Sequence, residues 1–249
     1  MSEKSEQIYN VVCMKWGTKY DCEYVNKLYR MCVRNTTVKF RFICYTDNPS
    51  GIDENVEIKP LPEMNLPSGP ERGWLKLSMF KRDLDIPKGR CLFLDLDTVI
   101  VGNIDDYFTI DGDLVLVKHR RPSKKQGVGM TSVFRFEAHK HPEIYENFVS
   151  NIDKVKSSYR HEQAYVCGFS GERKFLSLFP AQWNPSFKHN CMRFFLLGLF
   201  LEPKLPKGTK MVIFHGNPTP AMAMRGEIKG WRKFIRFLRT PKWLIDNWR

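Results

Sequence analysis
Apolar residues fall in short, dense runs along the chain, and two spacings alternate between them. "IYNVVCMKW", residues 8–16, is a β-rich run closed by the turn "GTKYD". In "DCEYVNKLYRMCVRN", residues 21–35, Val25, Leu28, Tyr29 and Cys32 recur at helical spacing and share one face. "KFRFICYTD" (39–47) predicts the next strand, with "NPSG" behind it as a loop. A short strand over "VEIKPLP" (56–62), a helix over "GWLKLSMFKRDL" (73–84) and a strand over "GRCLFLDLD" (89–97) follow. This strand–helix–strand alternation predicts an α/β fold with a mostly parallel sheet, and such sheets take ligands at the carboxyl ends of their strands. Further strands are expected over "DLVLVKH" (113–119) and "MTSVFRFEA" (130–138). A helix is expected over "HPEIYENFVSNI" (141–152), with Pro142 near its start. "KMVIFHGNP" (210–218) reads as a late strand ending at His215. No internal repeat or low-complexity linker interrupts residues 1–222, which are expected to form one domain; residues 223–249 have a different character.

Composition narrows this only in part. At 249 residues and 42% hydrophobic, the chain can build one large core. The longest apolar run, Phe194 to Leu201, is far short of the roughly 18 residues that span a bilayer. The polar start "MSEKSEQ" shows no signal-peptide core, and seven cysteines at loose spacing read as reduced cytosolic thiols, so the expected location is the cytoplasm. The net charge of +13 points to anionic partners: nucleotides, acidic lipid surfaces or nucleic acid.

The chemistry concentrates in "CLFLDLDTVIV", residues 91–101, where an apolar strand carries Asp95 and Asp97. Residues i and i+2 of a strand point the same way, so both carboxylates face one side at its carboxyl end. Two such groups repel unless a cation lies between them or one keeps its proton. Oxygen ligands suit Mg²⁺ or Mn²⁺. The alternative is a solvated strand end, which the apolar flanks on both sides oppose.

"FLDLDTVIVGNIDDYF" (93–108) resembles the DxD segment of nucleotide-sugar glycosyltransferases of the GT-A fold, in particular the bacterial family 8-like group, over about residues 8–222. The resemblance implies a Rossmann-like sheet flanked by helices. It also implies Mn²⁺ (or Mg²⁺) held by Asp95, Asp97 and, from "VIFHGNPTP" (212–220), His215. Gly216 would let backbone approach the ligand. "VCMKWGTKY" (12–20) resembles the donor-binding first strand and loop, which assigns Lys15, Trp16, Gly17 and Tyr20 to the UDP part of the donor. "CYTDN" (44–48) assigns Asp47 to the base. Lys76 of "GWLKLSMF" (73–80) and Lys188 of "NPSFKHN" (184–190) take the diphosphate. "HEQA" (161–164) stands where the family has an Asp–Gln pair, making Glu162 and Gln163 the residues at the reacting sugar. Three positions depart from the pattern: Met130 replaces an amide, Glu162 is longer by a methylene, and Thr219 stands for a lysine. The implied reaction moves a sugar from a UDP-sugar donor to a saccharide or glycolipid acceptor of the bacterial surface, with retention of configuration. From charge alone, an inverting enzyme with Glu162 as general base satisfies the same residues.

The end of the chain adds a further expectation. Ile228, Trp231, Phe234, Ile235 and Leu238 fall on one helical face, and residues 225–249 hold eight Lys/Arg against two acids. Thr240-Pro241 restarts a short helix carrying Trp243 and Trp248. A basic, tryptophan-bearing amphipathic segment is read as a peripheral anchor at the inner face of an anionic membrane. "MRFFLLGLFLEP" (192–203) is a second interfacial candidate, and "KHRRPSKK" (118–125) a basic loop. Three other readings compete. A haloacid-dehalogenase-like phosphatase shares the DxD opening but needs a downstream acidic pair that the sequence lacks. A sugar nucleotidyltransferase needs a Gly-rich loop after the first strand. A basic nucleic-acid or membrane-binding protein fits the charge but shows no nucleic-acid motif, and no nucleic-acid partner is expected.

Overall fold
A strand buried on both faces has no use for polar alternation, and the first strand, β1 (Tyr9–Lys15), is buried at every position. The computed structural model describes residues 7–67, 73–123, 127–193, 196–229 and 238–249. After β1 come α1 (Cys22–Asn35), β2 (Phe40–Thr46), β3 (Glu57–Pro60), β4 (Arg90–Leu94), β5 (Thr98–Ile100) and α2 (Asp105–Thr109). A long hairpin, β6 (Leu114–Ser123) with β7 (Gly127–Glu137), leads to α3 (Glu143–Ser150), α4 (Ile152–Ser158) and α5 (Glu162–Glu172). β8 (Leu176–Leu178), α6 (Leu197–Phe200), β9 (Met211–Ile213), α7 (Pro220–Met224) and α8 (Lys242–Asn247) complete the order.

Seven strands form one sheet in the order β3-β2-β1-β4-β7-β6-β8. β3, β2, β1 and β4 are mutually parallel, β7 runs against both β4 and β6, and β8 is parallel to β6. Alternate residues feed two cores. Val11, Cys13, Leu92 and Leu94 join α1 and the two-stranded β5–β9 ribbon, whereas Val12, Met14, Cys91 and Phe93 join α3 and α5 on the other face.

Several local expectations change. Residues 73–84 do not form an α-helix: a 3₁₀ segment covers Trp74–Phe80. Its three-residue repeat puts Trp74, Leu77 and Phe80 on one buried side and frees Lys76 to point elsewhere. β4 ends at Leu94, so Asp95 and Asp97 lie in the turn before β5 rather than on a strand; Thr98 N–H closes that turn on Asp95 C=O at 3.0 Å. The late strand ends at Ile213, two residues before His215, because β9 has only the three-residue β5 as a strand partner and a single bridge from Ile213 to Ser186 among the described residues. "KHRRPSKK" begins as strand, since pairing with β7 carries β6 to Ser123.

The last residues belong to the domain. Leu244 and Trp248 are buried in the same core as α1, Lys27 sits over the Trp248 ring at 3.9 Å, and Arg34 Nη2 donates to Asn247 C=O at 2.6 Å. Trp243 Nε1–H donates to Pro203 C=O at 2.9 Å. Trp243 and Trp248 are therefore packing residues, not interfacial ones, and a boundary at residue 222 does not separate the terminal helix from the core. Most of the expected amphipathic face, from Trp231 to Ile235, lies outside the described residues.

Candidate active site
The turn Asp95-Leu96-Asp97 opens into a cavity of about 430 Å³ at the carboxyl ends of β1 and β4. Trp16, Lys19 and Tyr20 come from the loop after β1, Gly73 and Lys76 from the 3₁₀ segment, and Glu162 from the first turn of α5. The Asp95 backbone is pinned by its N–H donating to Ser132 C=O at 2.8 Å.

The side chains form a charged cluster. Lys76 Nζ lies 2.6 Å from Asp95 and 4.0 Å from Glu162. Tyr20 O–H donates to Asp97 at 2.7 Å, and Thr131 O–H donates to Glu162 at 2.6 Å. Burial, reinforced by the Asp97 charge and opposed by Lys76, pushes the Asp95 carboxyl up to about 6. Burial also raises Asp97 and Glu162, against the Tyr20 and Lys76 contacts respectively. Burial works to lower Lys76, but Asp95 and Glu162 outweigh it and the ammonium ends above its ordinary value. Among the described residues three acids thus face Lys76, salt-bridged to Asp95, and Lys19, so negative charge is in excess. Gly73 makes room for this: at φ +79°, a Cβ there would lie 2.8 Å from the Glu162 carboxylate.

Beyond Glu162, Gln163 faces a second cavity of about 630 Å³ together with Met130, Asn184, Ser186 and His215. Two consecutive residues at the start of α5 therefore form the wall between two chambers. No carboxylate among the described residues lines the second chamber. Burial, with the Lys188, His189 and His119 charges, depresses the His215 imidazole to about 4, so it is neutral at physiological pH.

No family model matches the chain, and no curated protein does. Solved structures do resemble it. The galactosyltransferase LgtC in complex with donor and acceptor sugar analogues aligns over 85% of this chain and 88% of its own, with a TM-score of 0.58 and 11% identity. An active-site mutant of LgtC aligns over 89% and 91%, with a TM-score of 0.59 and 14% identity. The chain has the GT-A glycosyltransferase fold.

On this GT-A scaffold the residues expected at the site divide into three groups. Trp16, Tyr20, Lys76, Asp95, Asp97 and Glu162 line the first chamber; Gln163 and His215 line the second. The others brace backbone instead. Lys15 Nζ donates to Asn48 C=O at 3.3 Å, Gly17 N–H donates to Asp47 at 2.8 Å, and Lys188 Nζ donates to His215 C=O at 2.9 Å. Gly216, at φ +65°, turns the chain after His215 and has nothing within 4 Å of its Cβ position. Thr219, read as a lost lysine, is the N-cap of α7 and accepts from Met222 N–H at 3.3 Å.

The three-ligand metal cage is not assembled: among the described residues no three His, Cys, Asp or Glu side chains are placed to hold one metal ion, and His215 lines the other chamber. Phe214 stacks on Phe187 at 4.4 Å and Lys188 fixes the next carbonyl, which turns His215 toward the second chamber. The two aspartates alone still fit a hard divalent ion, being oxygen donors from one turn, Asp97 buried and Asp95 partly so, with surplus charge around them. Thr131 and Gly73 escaped the sequence reading. The resemblance marks Met130 but not its neighbour Thr131, and a glycine before a helical pattern looks like an ordinary start.

Proposed function
We propose that the protein is a metal-dependent glycosyltransferase that moves a hexosyl group from a nucleotide donor, UDP being the expected carrier, to a saccharide or glycolipid acceptor. One observation carries this reading: on a GT-A fold, a carboxylate-rich chamber and a chamber that no acid among the described residues lines meet at Glu162–Gln163. Asp95 and Asp97 would hold Mn²⁺ or Mg²⁺, which when bound supplies charge neutralisation to the departing diphosphate. Trp16 offers a ring to the base. Lys76 adds positive charge beside the developing anion, and Glu162, held by Thr131, orients the donor sugar. The anomeric C–O bond breaks with its electron pair leaving on the diphosphate. The acceptor hydroxyl, arriving past Gln163, forms the new C–O bond and gives its proton to the diphosphate oxygen on the same face. This same-face transfer retains the anomeric configuration.

Calorimetry of UDP with and without Mn²⁺, on wild type and Asp97→Ala, tests the reading. Binding should require both the metal and Asp97; UDP binding indifferent to both would refute it. Peripheral docking at the inner membrane face is a further part of the proposal. No helix among the described residues is long and apolar enough to cross a membrane. Leu197 at 53% and Phe200 at 73% exposure instead give α6 an apolar outer surface. Flotation with anionic vesicles should weaken in Leu197→Ser/Phe200→Ser, and unchanged flotation would remove this part.

A further inference from the structure
The second chamber has two kinds of polar lining, and the transfer chemistry uses neither. Its edge is cationic. Lys118, Arg120 and Arg121 project from β6, all exposed, and no carboxylate among the described residues pairs with them. Among the described residues four histidines share the lining and no acid does. Its floor is neutral and unsatisfied. Asn184 and Ser186 are each only 6% exposed, yet Asn184 Oδ1 and Ser186 Oγ have no hydrogen-bond partner in the protein. Their other groups are engaged: Asn184 Nδ2–H donates to Tyr107 Oη at 2.8 Å, and Ser186 N–H donates to Asn190 Oδ1 at 3.0 Å. Two unpaired oxygens just beneath the lining of a chamber of this size, closed to solvent until their side chains rotate, are sites for ligand hydroxyls. Three cations at its rim are sites for an anion, and the two guanidinium groups suit bidentate contact with phosphate or carboxylate.

We infer that the acceptor is an anionic saccharide, its hydroxyls on Asn184 and Ser186 and its phosphate or carboxylate on the edge formed by Lys118, Arg120 and Arg121. This rests on the glycosyltransferase reading above and gives the acceptor its chemical class. A neutral sugar would leave the rim unused, and a bare anion would leave the floor unpaired. The edge lies on β6, away from Lys76 and the aspartates, so it serves the acceptor rather than the donor diphosphate.

The test is calorimetry on the full chain with glucose, glucose 6-phosphate, glucuronate and inorganic phosphate, with UDP and Mn²⁺ titrated into the same preparations. At least one anionic sugar should bind about tenfold or more tighter than glucose and than inorganic phosphate, as expected for charge-assisted bonds added to the floor contacts. Arg120→Gln/Arg121→Gln, at exposed positions that should not disturb folding, should weaken that sugar by about ten- to a hundredfold and leave UDP unchanged. Ser186→Ala removes an oxygen that makes no bond within the protein. It should weaken the anionic sugar by about two- to tenfold and leave inorganic phosphate unchanged. Equal affinity for glucose, or inorganic phosphate as tight as the sugars, would overturn the inference, as would a loss of UDP binding in the double variant. UDP binding without any anionic-sugar binding defeats this inference alone; loss of both defeats the glycosyltransferase reading as well.

Discussion
Lys76→Met isolates the electrostatics of the first chamber, because methionine keeps most of the lysine stem and removes only the ammonium. That ammonium lies 2.6 Å from Asp95 and 4.0 Å from Glu162. At an effective dielectric constant near 20, a pair about 4 Å apart is worth about 4 kcal/mol. The lysine's own desolvation cost, relieved by the substitution, offsets part of this, and Asp95 retains 26% side-chain exposure. A net loss of about 2–3 kcal/mol follows, toward the low end for breaking a buried pair. For a domain of this size that lowers Tm by about 5–10 °C. The sign with pH is fixed by the direction of the carboxylate shifts. Asp95 already titrates near 6 with Lys76 beside it, above its ordinary 3.8, and losing Lys76 raises it further. A carboxylate raised in the folded state keeps its proton where the unfolded chain has lost it, so stability falls as pH rises through that window. The deficit of the variant should therefore be small at pH 4.5–5, grow through pH 6–7 and level off above. Metal-free melts of both proteins at pH 4.5, 6 and 8 check this. An equal deficit at every pH would show lost packing rather than lost charge, and no deficit at pH 8 would refute the buried pair.

Other expectations follow from the same contacts. In wild type without metal, Tm should decline between about pH 4 and 6 as Asp95 ionises, and Mn²⁺ should raise Tm more at pH 7 than at pH 4.5; a pH-independent effect would place the ion elsewhere. Gly73→Ala should cost about 2–4 kcal/mol and displace the Glu162 carboxylate, visible as a lower Tm together with a loss of turnover, because the new methyl meets that carboxylate at 2.8 Å in a left-handed backbone. Removing residues 241–249 should unfold the protein or lower Tm by more than about 10 °C, because it strips Leu244 and Trp248 from the core; a truncated protein that melts like wild type would make those residues an appendage.

The sheet and its partners were legible because buried strands announce themselves. "VVCM" and "CLFL" are apolar without alternation, which only a two-sided core explains. Asp95 and Asp97 were legible for the opposite reason, as charges interrupting such a run. What stayed hidden depends on distance in sequence. The Thr131–Glu162 bond joins residues 31 apart, and neither residue alone signals it. Lys15, Asp47 and Lys188 have the residue types a nucleotide site needs, but their partners are backbone groups and a neighbouring loop, which no local pattern records. The tryptophans near the end were misread because an amphipathic, basic segment has the same pattern whether its apolar face meets lipid or α1.

Because Glu162 and Gln163 are adjacent residues of one helix, the two chambers cannot be adjusted independently from that side. A change that slides or tilts the first turn of α5 resets the geometry of both at once, so the helix start acts as a common reference for donor and acceptor. The cationic end of β6, by contrast, lines only the second chamber, whereas β7 reaches the first through Thr131 and Ser132. Divergence toward new acceptors therefore has an open route through β6, while the helix start is held fixed by having two occupants to satisfy.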